Sequence, residues 1–262
     1  KPDVGPAARE VFENAQKMLS RIVDEGWLTA RGVFGHFPAN ADDGDVVIWS
    51  DESRREERMR FPMLRQQREK QRAGGYLSLS DFVAPTGVLE DHVGAFVVTA
   101  GLGIEEPLAR LRADHDDYGV ILLQALADRL AEAAAERVHK LAREACGFGR
   151  DENLTPRDLI RESYRGIRPA PGYPACPDHS EKGKLWQLLS AEESTGVQLT
   201  ESFAMLPAAS VSGFYFHHPK ARYFSVGKVG RDQVERYARK KGTSVLEAER
   251  WLAPYLGYDP TA

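Results

Sequence analysis

Apolar residues recur at three- and four-residue steps near the start of the chain. Ala7, Val11, Ala15, Met18 and Ile22 share one face, which predicts an amphipathic helix over residues 6–25. Gly26 and Gly32 break that pattern. RGVFGHFPA (31–39) and DVVIWS (45–50) then read as two strands joined by the turn-rich NADDGD. The strongly charged residues 51–75 read as a solvated hairpin or loop, and LSLSDFVAP (77–85) as a further strand. GAFVVTAG (94–101) is a continuous apolar run, as expected of a central strand. The longest helical pattern spans 114–146, with Leu123, Leu126, Leu130, Ala134, Val138 and Leu141 on one face. Its other face, with Ile121, Ala125, Asp128, Glu132, Ala135 and His139, is only half polar, as if core covered one side and a cleft the other. Asp114, Asp116 and Asp117 favour its positive end.

Beyond a loop at 147–156, Thr155 and Pro156 predict the capped start of a helix over 155–164. KLWQLLSAEE (184–193) reads as a short helix, and VQLTES, SVSGFYF and RYFSVGKV as strands. Two helices close the chain, the second starting at Ser244 with Glu247 three residues on, the spacing of a capping box. Strands come in runs and do not alternate strictly with helices. That predicts an α+β fold with a mostly antiparallel sheet.

The chain has 262 residues, 42% hydrophobic and 28% charged, with a net charge of −4. This composition gives no basic footprint for nucleic acid. The densest basic stretch, RQQREKQR (65–72), lies close to the acidic DESRREER (51–58) and reads as solvated surface. No apolar run is long enough to predict a transmembrane helix. Two cysteines, Cys146 and Cys176, are too few for a disulfide framework and suit a reducing, cytoplasmic compartment. The chain opens KPDVGPAARE without Met and enters a helix almost at once, as an excised fragment of a longer protein would.

Candidate chemistry concentrates in RPAPGYPACPDHSEK (168–182), where Pro169, Pro171, Pro174, Pro177 and Gly172 fall within ten residues. Proline fixes φ and removes a donor, so this stretch should be an extended strap whose carbonyls stay outside any ladder. Arg168 offers a planar fork for a carboxylate, Tyr173 a ring and a hydroxyl, and Tyr223 with Phe224 a stacking surface. Glu132 is an acidic candidate on the half-apolar helix face. Together these residue types would suit a zwitterionic, purine-bearing ligand, and a rigid polyproline connector is the plainer alternative. Cys176 and His179 form a Cys-x-x-His pair, to which His217 and His218 could add ligands, but zinc needs three or four, and the sequence reading expects no metal. GLG (101–103) lacks the spacing of a dinucleotide or P-loop site, and no nucleophile elbow is present.

In this order, RGVFGHFPAN (31–40), LSDFVAP (79–85), GAFVVTAG (94–101), HDDY (115–118), ALADRLAEA (125–133), ENLTPRDLIRESYRGIRPAPGYPACPDHSEK (152–182), LTESFAMLPAASVSGFYFHHP (199–219) and RDQVERYARKKG…ERWLAPYLGYD (231–259) resemble the C-terminal activation domain of cobalamin-dependent methionine synthase over nearly the whole chain. The resemblance implies a C-shaped α+β domain spanning 1–262, with a twisted antiparallel sheet flanked by helices. It implies that S-adenosylmethionine binds in a shallow groove and remethylates oxidised cob(II)alamin after reduction by a flavodoxin-type donor. Cobalamin would be held by a neighbouring domain, and zinc would occur only in the full-length enzyme. Matched position by position, Arg168 takes the ligand carboxylate, and Ala170 gives a backbone contact. Tyr173 and Tyr223 are aromatic contacts, Phe224 replaces a frequent second Tyr, and Glu132 lies near the amino-acid end. No catalytic residue is implied, since the task is positioning. The family's further N-terminal stretch, with an Asp that contacts the ligand, is not part of this sequence. The alternative is a docking module for flavodoxin and the cobalamin domain with little ligand binding of its own.

Overall fold

The computed structural model describes residues 5–67 and 75–260. The first helix, α1 (Gly5–Asp24), follows the predicted span closely, as does the β1 (Thr29–Asp42) to β2 (Asp45–Trp49) hairpin. Asp43 and Gly44, both at positive φ, make its two-residue turn. The charged stretch after β2 contains a strand, β3 (Glu57–Phe61), paired antiparallel to β2, where a loop or solvated hairpin was expected. The pattern hid it because only Met59 and Phe61 carry apolar side chains there. The remainder of the basic run, 68–72, lies outside the described residues.

β4 (Asp91–Leu102) is the expected interior strand, buried from Val93 to Gly101. The five-stranded antiparallel sheet has the order β3-β2-β1-β4-β7, with β7 at Ser210–Tyr215. Three expected strands do not form as read. Residues 79–82 make a 3-10 turn, because Ser78 and Asp81 cap it reciprocally and that local chemistry overrides the alternation. VQLTES keeps only the two-residue β5 (Gln198–Leu199), paired with β6 (Met205–Leu206). RYFSVGKV is irregular; its backbone bonds the strap and the C-terminal segment, through Val226 N–H to Pro174 O (2.8 Å) and Val229 N–H to Tyr255 O (2.9 Å).

α2 (Glu105–Ala113) precedes the long helix α3 (Asp117–Ala145). Of the three aspartates expected in its first turn, Asp114 instead ends α2, and Asp116 accepts from the Gly119 N–H at 2.8 Å. The buried stripe of α3 is Leu123, Ala127, Ala131, Ala135 and His139, between the two faces expected from the sequence. Steps of four overshoot a full turn by about 40° each, so this stripe slants across the helix. Leu126, Leu130, Ala134, Val138 and Leu141 are its half-buried flank. The capped helix α4 (Pro156–Ile160) is shorter than expected. The 184–193 helix is two, α5 (Lys182–Leu189) and α6 (Ala191–Thr195), divided at Ser190 with φ 47°. α7 (Arg231–Lys241) and α8 (Val245–Leu252) close the fold, and the Ser244 side chain accepts from the Glu247 N–H as the capping spacing predicts.

Contacts divide the chain into two compact units. The first comprises Lys1–Val33, Val97–Val138 and Ser190–Val211. Its core packs Met18, Ile22 and Trp27 with Ile104, Leu108, Leu111 and the α3 residues Leu123, Ala127 and Ala131. The second comprises Phe34–Phe96, His139–Leu189 and Ser212–Ala262. One of its apolar clusters joins Leu64, Val226 and Val229 to Val234, Tyr237, Ala248 and Leu252 of the last two helices. No helix among the described residues is long and apolar enough to cross a membrane.

Candidate functional site

The strap lies wholly in the second unit and is extended only at its start. Ile167 exchanges both backbone hydrogen bonds with Phe216 at 3.0 Å, and Pro169 O accepts from the Phe214 N–H at 2.9 Å. Gly213 permits that approach, since a Cβ there would lie 2.6 Å from Pro169 O. Backbone groups alternate sides along an extended chain, so the Arg168 N–H points the other way, donating to the Tyr223 hydroxyl at 3.1 Å. The chain then turns. Ala170 O accepts from Tyr173 N–H (3.2 Å), and Gly172 N–H donates to Cys176 O (2.7 Å). Gly172 has φ 97°, and a Cβ there would meet the His179 ring at 2.1 Å, so only glycine fits.

The strap's carbonyls stay outside any long ladder, yet several are partnered. Those of Pro169, Ala170, Tyr173, Pro174 and Cys176 each accept a backbone N–H. Proline excludes long ladders but not single bonds, and a buried carbonyl needs a partner. The C-terminal half of the strap is an anchor. Asp178, 1% exposed, accepts from the Tyr237 hydroxyl (2.8 Å) and pairs with Lys241, which also reaches Glu181 at 3.0 Å. Burial alone would raise the Asp178 pKa, but the charge of Lys241 and hydrogen bonds from Lys241, Ser180 and Tyr237 hold it below the ordinary range. Cys176 is buried, and burial pushes its thiol pKa up, so it is an inert core group.

The Arg168 side chain is held on its far side. Its Nη1 donates to the Tyr164 hydroxyl and lies 3.3 Å from Nδ1 of His139. Burial, with the charges of Arg143 and Arg168, depresses the His139 pKa to about 2, so the imidazole is neutral. Accepting from Arg168 at Nδ1 places its proton on Nε2. The His139 ring stacks on Tyr215 (centroids 4.7 Å apart, 6° between planes), and Tyr215 stacks on Phe96 (4.7 Å, 10°). Tyr164 is clamped in turn: the Arg143 guanidinium sits 4.1 Å over its ring, and Arg143 bonds Glu152 through Nε at 3.0 and 3.1 Å. A hydroxyl and a neutral imidazole orient the Arg168 guanidinium.

Of the other residues singled out in the sequence, Tyr173 stands 63% exposed at the turn, and Tyr223 is 44% exposed beside the Arg168 backbone. Phe224 does not share a surface with Tyr223. It packs on the Val226–Leu252 cluster and meets Phe82 edge-on at 6.3 Å. Glu132 belongs to the first unit, exposed on α3, where it lines a groove with Asp128, Arg129, Ser210 and Val211. Tyr164 and Arg143 were missed in the sequence reading. Their part follows from folding that brings α3 and the segment after α4 to the strap, which no local pattern signals.

The mixed α+β fold on a five-stranded antiparallel sheet thus carries an arginine strap braced by Tyr164 and His139. A crystal structure described as the MetH reactivation domain bound to AdoHcy superposes with a TM-score of 0.94 at 52% identity, covering 98% of this chain and 79% of that one. Residues 1–242 match the family described as vitamin B12 dependent methionine synthase, activation domain. The chain belongs to that family.

Proposed function

We propose that this chain binds S-adenosylmethionine and presents its methyl group for reductive remethylation of oxidised cobalamin held by a neighbouring domain, with a flavodoxin-type donor supplying the electron. The observation that carries this reading is the braced Arg168, in a chain 52% identical to a domain bound to AdoHcy, the demethylated form of that ligand. The residues fit the ligand's chemistry. A carboxylate would meet the Arg168 fork, which Tyr164 and His139 already orient. Tyr173 and Tyr223 offer exposed rings, and Ala170 lies between Arg168 and Tyr173 in the strap.

Cobalamin would be held by its own domain, and its chemistry there would be that of a cobalt nucleophile. The sulfonium is an activated donor, so this chain needs neither general acid nor general base. Its contribution is to hold the methyl in one direction and restrict water around it. The single domain spanning 1–262 and its place within a larger enzyme are part of this proposal. Calorimetric titration tests it. Arg168→Ala should weaken S-adenosylmethionine binding about tenfold or more, through loss of a charge-assisted pair. Unchanged affinity would remove Arg168 from the site, and absence of binding by the wild-type chain would favour a docking module.

A further inference from the structure

Three potential metal ligands converge in the second unit from three separate segments: His36 on β1, Cys146 just after α3, and His217 just after β7. Their ligand atoms all lie within 4.8 Å of one another. His36 Nε2 is 3.0 Å from His217 Nε2 and 3.2 Å from Cys146 Sγ. We propose that His36, Cys146 and His217 form a binding site for a thiophilic metal ion, zinc in the first instance. The proposal is independent of how S-adenosylmethionine binds, and it departs from the expectation of no metal.

Hydrogen bonding alone serves this arrangement poorly. Two imidazole nitrogens and a thiol sulfur lie within 4.8 Å of one another, yet His36 Nε2 can donate one proton or offer one lone pair in the ring plane, not both. It therefore satisfies one neighbour well and the other badly. A cation accepts all three lone pairs at once. Zinc bonds of about 2.0–2.1 Å to nitrogen and 2.3 Å to sulfur in tetrahedral geometry separate two nitrogens by roughly 3.3 Å and a nitrogen from the sulfur by roughly 3.6 Å. The observed 3.0 and 3.2 Å need to open by only a few tenths of an ångström, within the reach of side-chain rotation. Two imidazoles with one thiolate is a donor set that zinc favours over magnesium or calcium.

The surroundings set the strength. The ring of His217 is flanked by Phe148 (5.1 Å) and Tyr215 (6.0 Å), and its backbone carbonyl accepts from Arg165 at 2.6 Å, so the ligand is held in place. Its Nδ1 is buried with no hydrogen-bond partner among the described residues, so the usual outer acceptor is missing, which lowers metal affinity by about 10–100-fold. The charges of Arg165 and Arg143 oppose a cation further, and the thiolate offsets part of that. Cys146 is exposed, which leaves the fourth position open to water or a further ligand. Binding converts the thiol to a metal thiolate and releases its proton, so affinity rises with pH.

The test is a titration of the metal-free chain with Zn²⁺ by calorimetry and with Co²⁺ by absorbance. One zinc should bind per chain with proton release, and cobalt should give a thiolate charge-transfer band. Cys146→Ser should abolish that band, while His36→Ala and His217→Ala each weaken zinc by about tenfold or more. Cys146→Ser replaces an exposed side chain, so its metal-free melting temperature should match the wild type and keep the test valid if a histidine variant fails to fold. No stoichiometric binding, or a cobalt spectrum unchanged in Cys146→Ser, would overturn the proposal.

Discussion

Arg168 is aimed by groups that do no chemistry of their own. Tyr164 and His139 hold the guanidinium, Arg143 clamps Tyr164, and Tyr223 takes the backbone N–H. Tyr164→Phe should therefore lower S-adenosylmethionine affinity by about two- to tenfold, the worth of one hydrogen bond, and less than Arg168→Ala does. Calorimetry on the two variants separates aiming from binding, and an equal loss in both would contradict the division. Arg168, Tyr173 and Tyr223 were legible as candidates because their side chains offer the right chemistry next to a proline-rich strap. Their braces were not, because His139 lies 29 residues before Arg168 and meets it only after folding. Phe224 shows the converse. Adjacent aromatic residues in irregular backbone need not face one surface, and Phe224 is taken up by core packing.

At the scale of elements, periodicity located the helices well, because α1, α3, α7 and α8 each bury one side. It misplaced the buried stripe of α3, because the slant from Leu123 to His139 is set by what packs on it. Strand patterns failed where local hydrogen bonding competed, at the Ser78–Asp81 turn and in residues 222–229. The strap's second half is tied to α7 by the buried Asp178–Lys241–Glu181 cluster, whose side chains are 2%, 9% and 1% exposed. Removing the cation would leave the buried Asp178 without its counter-ion, while Glu181 keeps Lys184 at 3.0 Å, so Lys241→Met should destabilise the chain by about 3–5 kcal/mol at neutral pH, measured by urea unfolding. The Asp178 pKa is lowered on folding, so its contribution is present above the ordinary carboxylate value of 3.8 and is lost as pH falls through the folded value. In Lys241→Met burial favours the protonated form of Asp178, so the deficit against wild type should shrink toward acid. A deficit that stays constant with pH would show that the pairing is not its source.

At the scale of the whole molecule, the mixed architecture and antiparallel sheet were legible from runs of strands set among capped helices. The family was legible from ordered motifs, above all RPAPGYPACPDHSEK. The division into two compact units was not, because β1, β4, α3 and β7 each contribute residues to both units. The proposed role requires a cobalamin domain, so this chain alone should transfer no methyl group to free cobalamin, and turnover at rates near those of a complete enzyme would refute that. The central claim is that the braced Arg168 receives the ligand carboxylate. A crystal structure of this chain with S-adenosylhomocysteine measures it most directly. The account predicts the carboxylate within hydrogen-bond distance of the Arg168 guanidinium, beside the Ala170 backbone. A ligand bound with its carboxylate elsewhere, and Arg168 still engaged with Tyr164 and His139, would contradict it.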